Sequence, residues 1–549
     1  MSASVPSARI SVVRGPALAL LGIVCLIALL FVALRLRDTS VKSTAVDSVP
    51  EGAASDVPDA SPATAEAAAP VHSDVVPVWN EWPAPQLGLL VTGEQHGYFE
   101  PCGCTSNQMG GMSRRANLAK KLTDAGWTLR GVDLGGLARR SVRQAQIKFE
   151  TSLLALRELN YAAVGLGPED LRLSPDFLLS QQHLPDDEHP LFLVSANLVF
   201  FDTPELGTPT PTAIVTEQGV TVGITSVLSE SLKETVLPEG ANLNITWSEP
   251  GPAIEKAMAT FDEAGAGFRV LLSHGTLEES RALAEQFPGF DVILAAEGPS
   301  DPDPTALPDK VGKTLVLELG RKGKYAGVIG IYPDDNETPV RFQLIPLERS
   351  AFDDTPEMVQ LMQEYQERLR DEQIVLSENP KLHPSGAFFL GSETCGECHS
   401  KAYEVWAASG HAHALESLDP QNQRTGYERL NGVARMFDPE CLACHVTGWN
   451  PEEYFRYESG FLNEPFATTD EQKLLEKSMA GSGCENCHGP GSRHVELVDA
   501  DDLDAARQEV RVTLQQAKDN VCYKCHDVDN SPHFEFDDYW PKVEHKGMD

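Results

Sequence analysis

Basic residues are scarce in this chain of 549 residues: 44 Lys and Arg stand against 81 Asp and Glu, a formal net charge of −37. A nucleic-acid binder neutralises phosphates with Lys and Arg, so this balance excludes nucleic acid as a partner. It suits an exported soluble body and partners with a basic face; acidity that serves solubility alone is the plainer reading. Spare cysteine is equally scarce. Of 11 cysteines, eight fall into one repeated motif and Cys25 lies in an apolar run, which leaves only Cys102 and Cys104. That excludes a conventional disulfide framework. Thioethers are few in the C-terminal region, where Met436, Met479 and Met548 are the only ones.

What is present is a four-fold repeat of C-x-x-C-H: Cys395-Gly-Glu-Cys398-His399, Cys441-Leu-Ala-Cys444-His445, Cys484-Glu-Asn-Cys487-His488 and Cys522-Tyr-Lys-Cys525-His526. In a c-type haem site two thiols add to the haem vinyl groups, and the adjacent His reaches the iron from the same loop. Zinc is the other use of paired C-x-x-C. His directly after the second Cys in all four copies points to haem. The expectation is four covalent haems, with His399, His445, His488 and His526 as proximal ligands. The motifs leave too little protein to enclose each haem separately, so the haems pack together and exchange electrons.

Distal candidates are His411, His413, His494, His533 and His545. Imidazole is in better supply than thioether, so bis-His ligation is expected, which lowers the potential relative to His/Met. If the segment around Trp406-Ala-Ala-Ser-Gly-His-Ala-His is helical, His411 and His413 project to nearly opposite sides. They then serve different haems, or only one is a ligand. His494 follows a short Gly-Pro loop, and His545 ends an aromatic-rich stretch; with His411 they are the first candidates.

The apolar run Ala17–Leu34 has Arg9 and Arg14 before it and Arg35 and Arg37 after it. Its length is close to a bilayer span, so an uncleaved signal anchor over 1–37 is expected, with a cleaved signal peptide as the alternative. Residues 38–84, rich in Ala, Pro, Ser and Asp, read as a flexible linker. Over 85–348, short apolar runs alternate with amphipathic stretches, as in a layered α/β domain. Residues 349–380 read as a connecting helix with Val359, Leu361, Met362, Tyr365 and Leu369 on its apolar face. Residues 381–549 form a mostly helical, loop-rich tetrahaem domain. This arrangement places the chain at the cytoplasmic membrane with its body outside the cytoplasm.

The C-x-x-C-H repeat followed by Trp406-x-x-Ser-x-His411-Ala, then by Cys487-His-Gly-Pro-Gly-x-x-His494, resembles the tetrahaem cytochrome c-554 family over about 390–549. That resemblance implies electron transfer through mostly bis-His haems, one of them five-coordinate in the namesake. Leu87-Gly-Leu-Leu-Val-Thr-Gly-Glu-Gln-His-Gly97, a strand ending in a carboxylate-x-His pair, resembles the opening of 5'-nucleotidase-type metallophosphoesterases. The resemblance implies an α/β layered fold over about 86–346 and a two-metal site that activates water. On that alignment Glu94 stands at the first Asp position, His96 is retained, and His274 matches a later ligand. Gly135-Gly136, Gly167-Pro168-Glu169 and Ala296-Glu297-Gly298-Pro299 replace the other ligands. Gly and Pro side chains cannot bind metal.

Cys102 and Cys104 follow in Glu100-Pro-Cys-Gly-Cys-Thr-Ser-Asn-Gln108. Cys102, Cys104 and His96, with Glu94 or His274, could hold one transition metal. The pair could instead be a redox-active dithiol, since a Cys-x-Cys disulfide closes a strained, easily reduced ring. A structural loop is the third reading. Gly110-Gly111 ahead of Arg114-Arg115 suggests an anion site at a helix start. Three functions follow: a haem-based electron carrier first, an oxidoreductase acting on a small nitrogen or sulfur compound second, and a phosphoesterase fused to haems third.

Overall fold

The computed structural model describes residues 78–101, 108–181, 190–237, 244–422 and 430–548. The anchor, most of the linker, and Cys102 and Cys104 lie outside the described residues. Among those described, no helix is long and apolar enough to cross a membrane.

The first strands are β1 (Leu87–Thr92), β2 (Leu129–Asp133), β3 (Tyr161–Gly165), β4 (Phe192–Val194), β5 (Leu198–Phe200), β6 (Ala213–Glu217) and β7 (Val220–Leu228). Then come β8 (Ile245–Trp247), β9 (Phe268–His274), β10 (Val292–Ala295), β11 (Asp309–Val311), β12 (Thr314–Glu318), β13 (Tyr325–Ile331) and β14 (Val340–Pro346). They form two six-stranded sheets, β14-β13-β1-β2-β3-β4 and β11-β12-β10-β9-β7-β6, and a β5-β8 ribbon. β1 to β4 run parallel, as do β7, β9, β10 and β12.

Period-two alternation decides how these sheets stack. Leu87, Leu89 and Val91 of β1 share a core with Val222, Ile224, Val270, Leu272, Val292 and Leu294 of the second sheet. The sheets therefore lie face to face. Leu90, on the opposite face of β1, packs with helices Met112–Asp124, Arg143–Glu158 and Pro356–Asp371. Leu271 and Ile293 pack with helices Pro250–Glu263 and Leu277–Gln286. The result is a four-layer helix/sheet/sheet/helix sandwich, in which each fully buried Leu or Val contributes about 1.5–3 kcal/mol. Thr276 and Glu279 form a capping box that starts Leu277–Gln286. The connecting helix stops at Asp371, where Gln373 turns left-handed at φ 54°.

From Lys381 onward the helices are short; Ser400–Ala408 and Asp470–Ser478, the longest described, have 9 residues each. Helices of this length do not hold themselves in water, so they depend on what they pack against. Two carboxylates bind this region to the sandwich. Asp438 caps the helix Pro439–His445, which carries the second motif. Its Oδ1 accepts from Gln144 Nε2 at 2.7 Å and its Oδ2 from Gln366 Nε2 at 2.8 Å. Asp529, just past the fourth motif, accepts from Lys322 Nζ at 2.6 Å and Tyr98 Oη at 2.9 Å, while its carbonyl accepts from Gln108 Nε2 at 2.6 Å. Lys148–Glu440 at 2.7 Å and Arg435–Glu100 at 2.5 Å flank these ties.

Asp529→Ala removes the carboxylate shared by Lys322 and Tyr98. Amide exchange in residues 522–534 should rise, with a local loss of about 1–3 kcal/mol, while exchange in β9 and β10 stays unchanged. Equal acceleration in both places would show that Asp529 does not act at the contact.

Candidate functional site

Three imidazole pairs face one another in the C-terminal region. His399 and His494 have ring centroids 6.2 Å apart, His411 and His526 6.0 Å, and His488 and His545 5.9 Å. A metal–nitrogen bond is about 2 Å, so two imidazoles flanking one iron hold their centroids roughly 6 Å apart. Each pair joins a motif histidine to one far away in sequence. His411–His413 is a 3₁₀ turn after helix Ser400–Ala408. There His411 turns to His526, while His413 Nδ1 lies 3.2 Å from Glu416 Oε1. His533 is exposed.

The protons on these rings are fixed by backbone carbonyls, which only accept. Nδ1 of His445 donates to the Ala414 carbonyl at 2.7 Å, that of His488 to Val510 at 2.7 Å, that of His494 to Ala506 at 2.8 Å and that of His545 to Val543 at 2.8 Å. The Nε2 lone pair is then left for a metal. Burial pushes His526 down to about 4 and holds His411 and His488 below the ordinary imidazole value. All three are neutral near pH 7, the form that ligates.

Neighbouring motifs also meet through their sulfurs. Cys395 and Cys484 are hydrogen-bonded neighbours, as are Cys444 and Cys525. Glu485, inside the third motif and buried, accepts from the amides of Leu390 at 2.9 Å, Gly391 at 2.8 Å and Gly491 at 2.7 Å. Cys484 N donates to Ser392 Oγ at 3.1 Å. These bonds fasten the third motif to the approach to the first. Of the 15 large hydrophobics exposed among the described residues, 11 lie beyond Lys381, including Phe388, Val495, Val498, Leu514, Tyr523 and Val528. Apolar macrocycles would cover such surface. The residues present therefore fit c-type haem.

The α/β domain is a different case. Glu94 and His96 end β1 in left-handed backbone, at φ 51° and 48°. Their amides donate to Gly135 O at 2.8 Å and Gly136 O at 2.7 Å. His96 Nε2 lies 3.0 Å from Glu94 Oε2. Burial lowers the His96 pKa, but the Glu94 hydrogen bond and charge, with Glu169 and Asp170, raise it above the ordinary value. His274 is buried; its Nε2 donates to Leu134 O at 2.7 Å and its Nδ1 has no partner. A Cβ on Gly136 would come 2.8 Å from Glu94 Oε1, and one on Gly167 would come 2.9 Å from Gly136 N and 3.3 Å from His274 Cε1. The backbone has closed over the places where further ligands would stand. Among the described residues no three His, Cys, Asp or Glu are grouped to hold a metal. Glu94, His96 and His274 thus do not fit a two-metal centre by themselves. Cys102 and Cys104, the other members of that candidate set, lie outside the described residues.

The anion site at Arg114-Arg115 is a correction. Both are buried. Arg115 reaches Asp133 at 3.5 Å and Thr92 Oγ1 at 3.2 Å, while Arg114 turns to the Gln108 carbonyl and to Asp354 at 4.0 Å. The buried Asp133 carboxylate holds Arg115, and the Gln108 carbonyl and half-buried Asp354 hold Arg114, so both guanidiniums point into the fold.

Sequence reasoning missed Asp170. Its Oδ2 accepts from Gly136 N at 2.8 Å and Gly167 N at 2.9 Å, and its Oδ1 from Ala138 N at 2.8 Å. It joins the two glycine loops beside Glu94. Burial pushes it up to about 7 against the pull of the three amides. The available signal was a carboxylate three residues after Gly167, at the start of a turn.

The cytochrome c554 and c-prime family matches residues 394–489, which include the first three motifs. Cytochrome c-554 of Nitrosomonas europaea is 31% identical over 106 residues, covering 19% of this chain and 39% of that relative. The chain thus spans well under half the length of the relative it matches. The structure is similar to a 5'-nucleotidase precursor from Thermus thermophilus, at 19% identity and a TM-score of 0.44, covering 62% of this chain and 67% of that one. It is also similar to the calcineurin-like phosphoesterase YfkN from Bacillus subtilis, at 17% identity and a TM-score of 0.43, covering 52% and 98%.

His494→Ala should convert one haem equivalent from low spin to high spin in the electron paramagnetic resonance spectrum. An unchanged spectrum would remove His494 as a ligand. For Asp170, the folded pKa lies above the unfolded one, so its contribution is present in acid and is lost as pH rises from about 4 to about 7. Exchange of the Gly136 and Gly167 amides, corrected for intrinsic rate, should report that loss, and Asp170→Asn should remove its pH dependence.

Proposed function

We propose, from the cytochrome c554-family domain at residues 394–489, that this chain is an exported multihaem c-type cytochrome carrying electrons through four covalent haems. The observation that carries the reading is the set of three facing imidazole pairs at 5.9–6.2 Å. Bound haem supplies one-electron redox chemistry. The chain's own residues do the rest. Backbone carbonyls hold the Nδ1 protons, Glu485 and Ser392 join the first and third motifs, and Asp438 and Asp529 seat the second and fourth on the sandwich.

The apolar run Ala17–Leu34 is read as a membrane anchor and residues 38–84 as its tether, with the body outside the cytoplasmic membrane. Redox partners with a basic face suit the net charge of −37. A second reading has support from one observation. Glu100 and Gln108, which flank Cys102 and Cys104, bond to Arg435 and Asp529 beside the second and fourth motifs. An oxidoreductase acting on a small nitrogen or sulfur compound, at that thiol pair or at an open haem, follows from it. For hydrolysis of phosphate esters the donor set around Glu94 does not fit, and no step is assigned to it.

Full-length protein purified from membranes should yield four haems per chain by the pyridine haemochrome assay, and three after Cys522→Ala with Cys525→Ala. Fewer than four in the parent chain, or zinc in place of iron, would defeat the reading. Cyanide or nitric oxide binding at one haem would favour the oxidoreductase, and its absence would leave only the thiol pair for it.

A further inference from the structure

A narrow cleft lies between the sandwich and the second motif. Arg140, from the loop after β2, and Arg456 meet there with Trp449, Tyr454 and Phe455, and Glu378 is the one acidic side chain in its lining. Several arginines of this chain pair with carboxylates. Arg143 and Arg368, for example, each bond to carboxylates on their own surface. Arg140 donates to the carbonyl of Glu453 and lies over the Tyr454 ring at 5.1 Å. Arg456 has only two long contacts, to the carbonyls of Glu458 and Gly460, both at 3.4 Å. Neither forms an ion pair among the described residues, in a chain with 81 acidic side chains. Burial lowers the Arg456 pKa, and no carboxylate offsets it. A half-buried guanidinium without an anion is unfavourable, and its planar fork suits a carboxylate or an oxyanion.

Size limits the ligand. The cavity volume is ≈ 20 Å³, which encloses about one oxygen of an anion and not an organic cofactor. Tyr454, held left-handed at φ 58°, keeps the aromatic wall beside Arg140. Pro439, the first residue of the second motif's helix, closes the far side.

We propose that the Arg140–Arg456 cleft binds the head group of a small anion, a carboxylate or an inorganic oxyanion, next to the second haem-attachment helix. The anion comes either from solution or from a propionate of a haem in the same chain. Only the propionate source rests on the haem reading above.

The test uses the full haem-loaded chain with Arg140→Gln, Arg456→Gln and Arg456→Lys. Inorganic phosphate and sulfite are titrated calorimetrically, and haem midpoints are read by spectroelectrochemistry. A solution anion predicts saturable binding of at least one probe, weakened at least tenfold by either Gln variant and partly recovered by Lys. A propionate predicts no probe binding but a lowered midpoint at one haem in both Gln variants, because lost positive charge favours the oxidised form. Lack of probe binding together with unchanged midpoints overturns the proposal. The haem count of the same samples is independent: fewer than four haems would sink the cytochrome reading while the calorimetry still reports on the cleft.

Discussion

The C-terminal region depends on imidazoles brought together in facing pairs. Two rings with centroids about 6 Å apart are too far apart to share a hydrogen bond and are spaced for one metal between them. The pairs join His399 to His494, His411 to His526 and His488 to His545. Nearly every segment from the first motif to the end is spanned by one of these links. Helices of at most 9 residues cannot supply this order. The region's own apolar cluster, around Leu442, Val446, Trp449 and Phe461, lies mainly behind the second motif. The remaining apolar surface needs the macrocycles. Ligation and burial of that surface are therefore one event, and haem-free chain should not hold this arrangement.

The same constraint bears on the carboxylates that help attach this region to the sandwich, beside apolar contacts of Val433 and Val375. Asp438 caps the helix of the second motif and also receives Gln144 and Gln366 from two sandwich helices. Burial raises its pKa, with the charge of Glu440 adding to the effect and Lys148 opposing it. A buried carboxylate with three donors is expensive to leave unpaired, so the helix start is located within narrow limits. Asp529 does the corresponding work after the fourth motif. Polar ties of this kind fix position better than an interchangeable apolar contact.

Much of this was legible in the sequence, for a physical reason. The short apolar runs at Leu87–Thr92 and Val220–Leu228 come from burial on two faces, and they read directly as strands. The haem motifs are legible because their chemistry needs contiguous residues. β5, β8 and β11 were missed; each has 3 residues and is too short for a period to show. The pairing of particular histidines was out of reach as well, since His526 meets His411 only through tertiary folding. Asp170, Asp438 and Glu485 were hidden for the opposite reason to the motifs. Each is a single carboxylate whose partners are mostly backbone amides or distant Gln side chains, and a backbone amide leaves no letter in the sequence. Arg114 and Arg115 read as an anion site at a helix start because their carboxylate partners Asp133 and Asp354 are remote in sequence.

The α/β domain's strained loop then makes sense as a support. Left-handed Glu94 and His96 each carry a conformational cost of about 1–3 kcal/mol, which persists only where the surroundings over-determine it. In a metal site, ligand bonds would do so. Here the carbonyls of Gly135 and Gly136 hold the two amides, and Lys322 N donates to the Glu94 carbonyl at 2.6 Å. The Lys322 side chain continues to Asp529. Asp170 in turn holds the amides of Gly136 and Gly167 through its carboxylate. One continuous path of hydrogen bonds thus runs from the glycine loops, through the strained turn and Lys322, to the segment that follows the fourth haem motif.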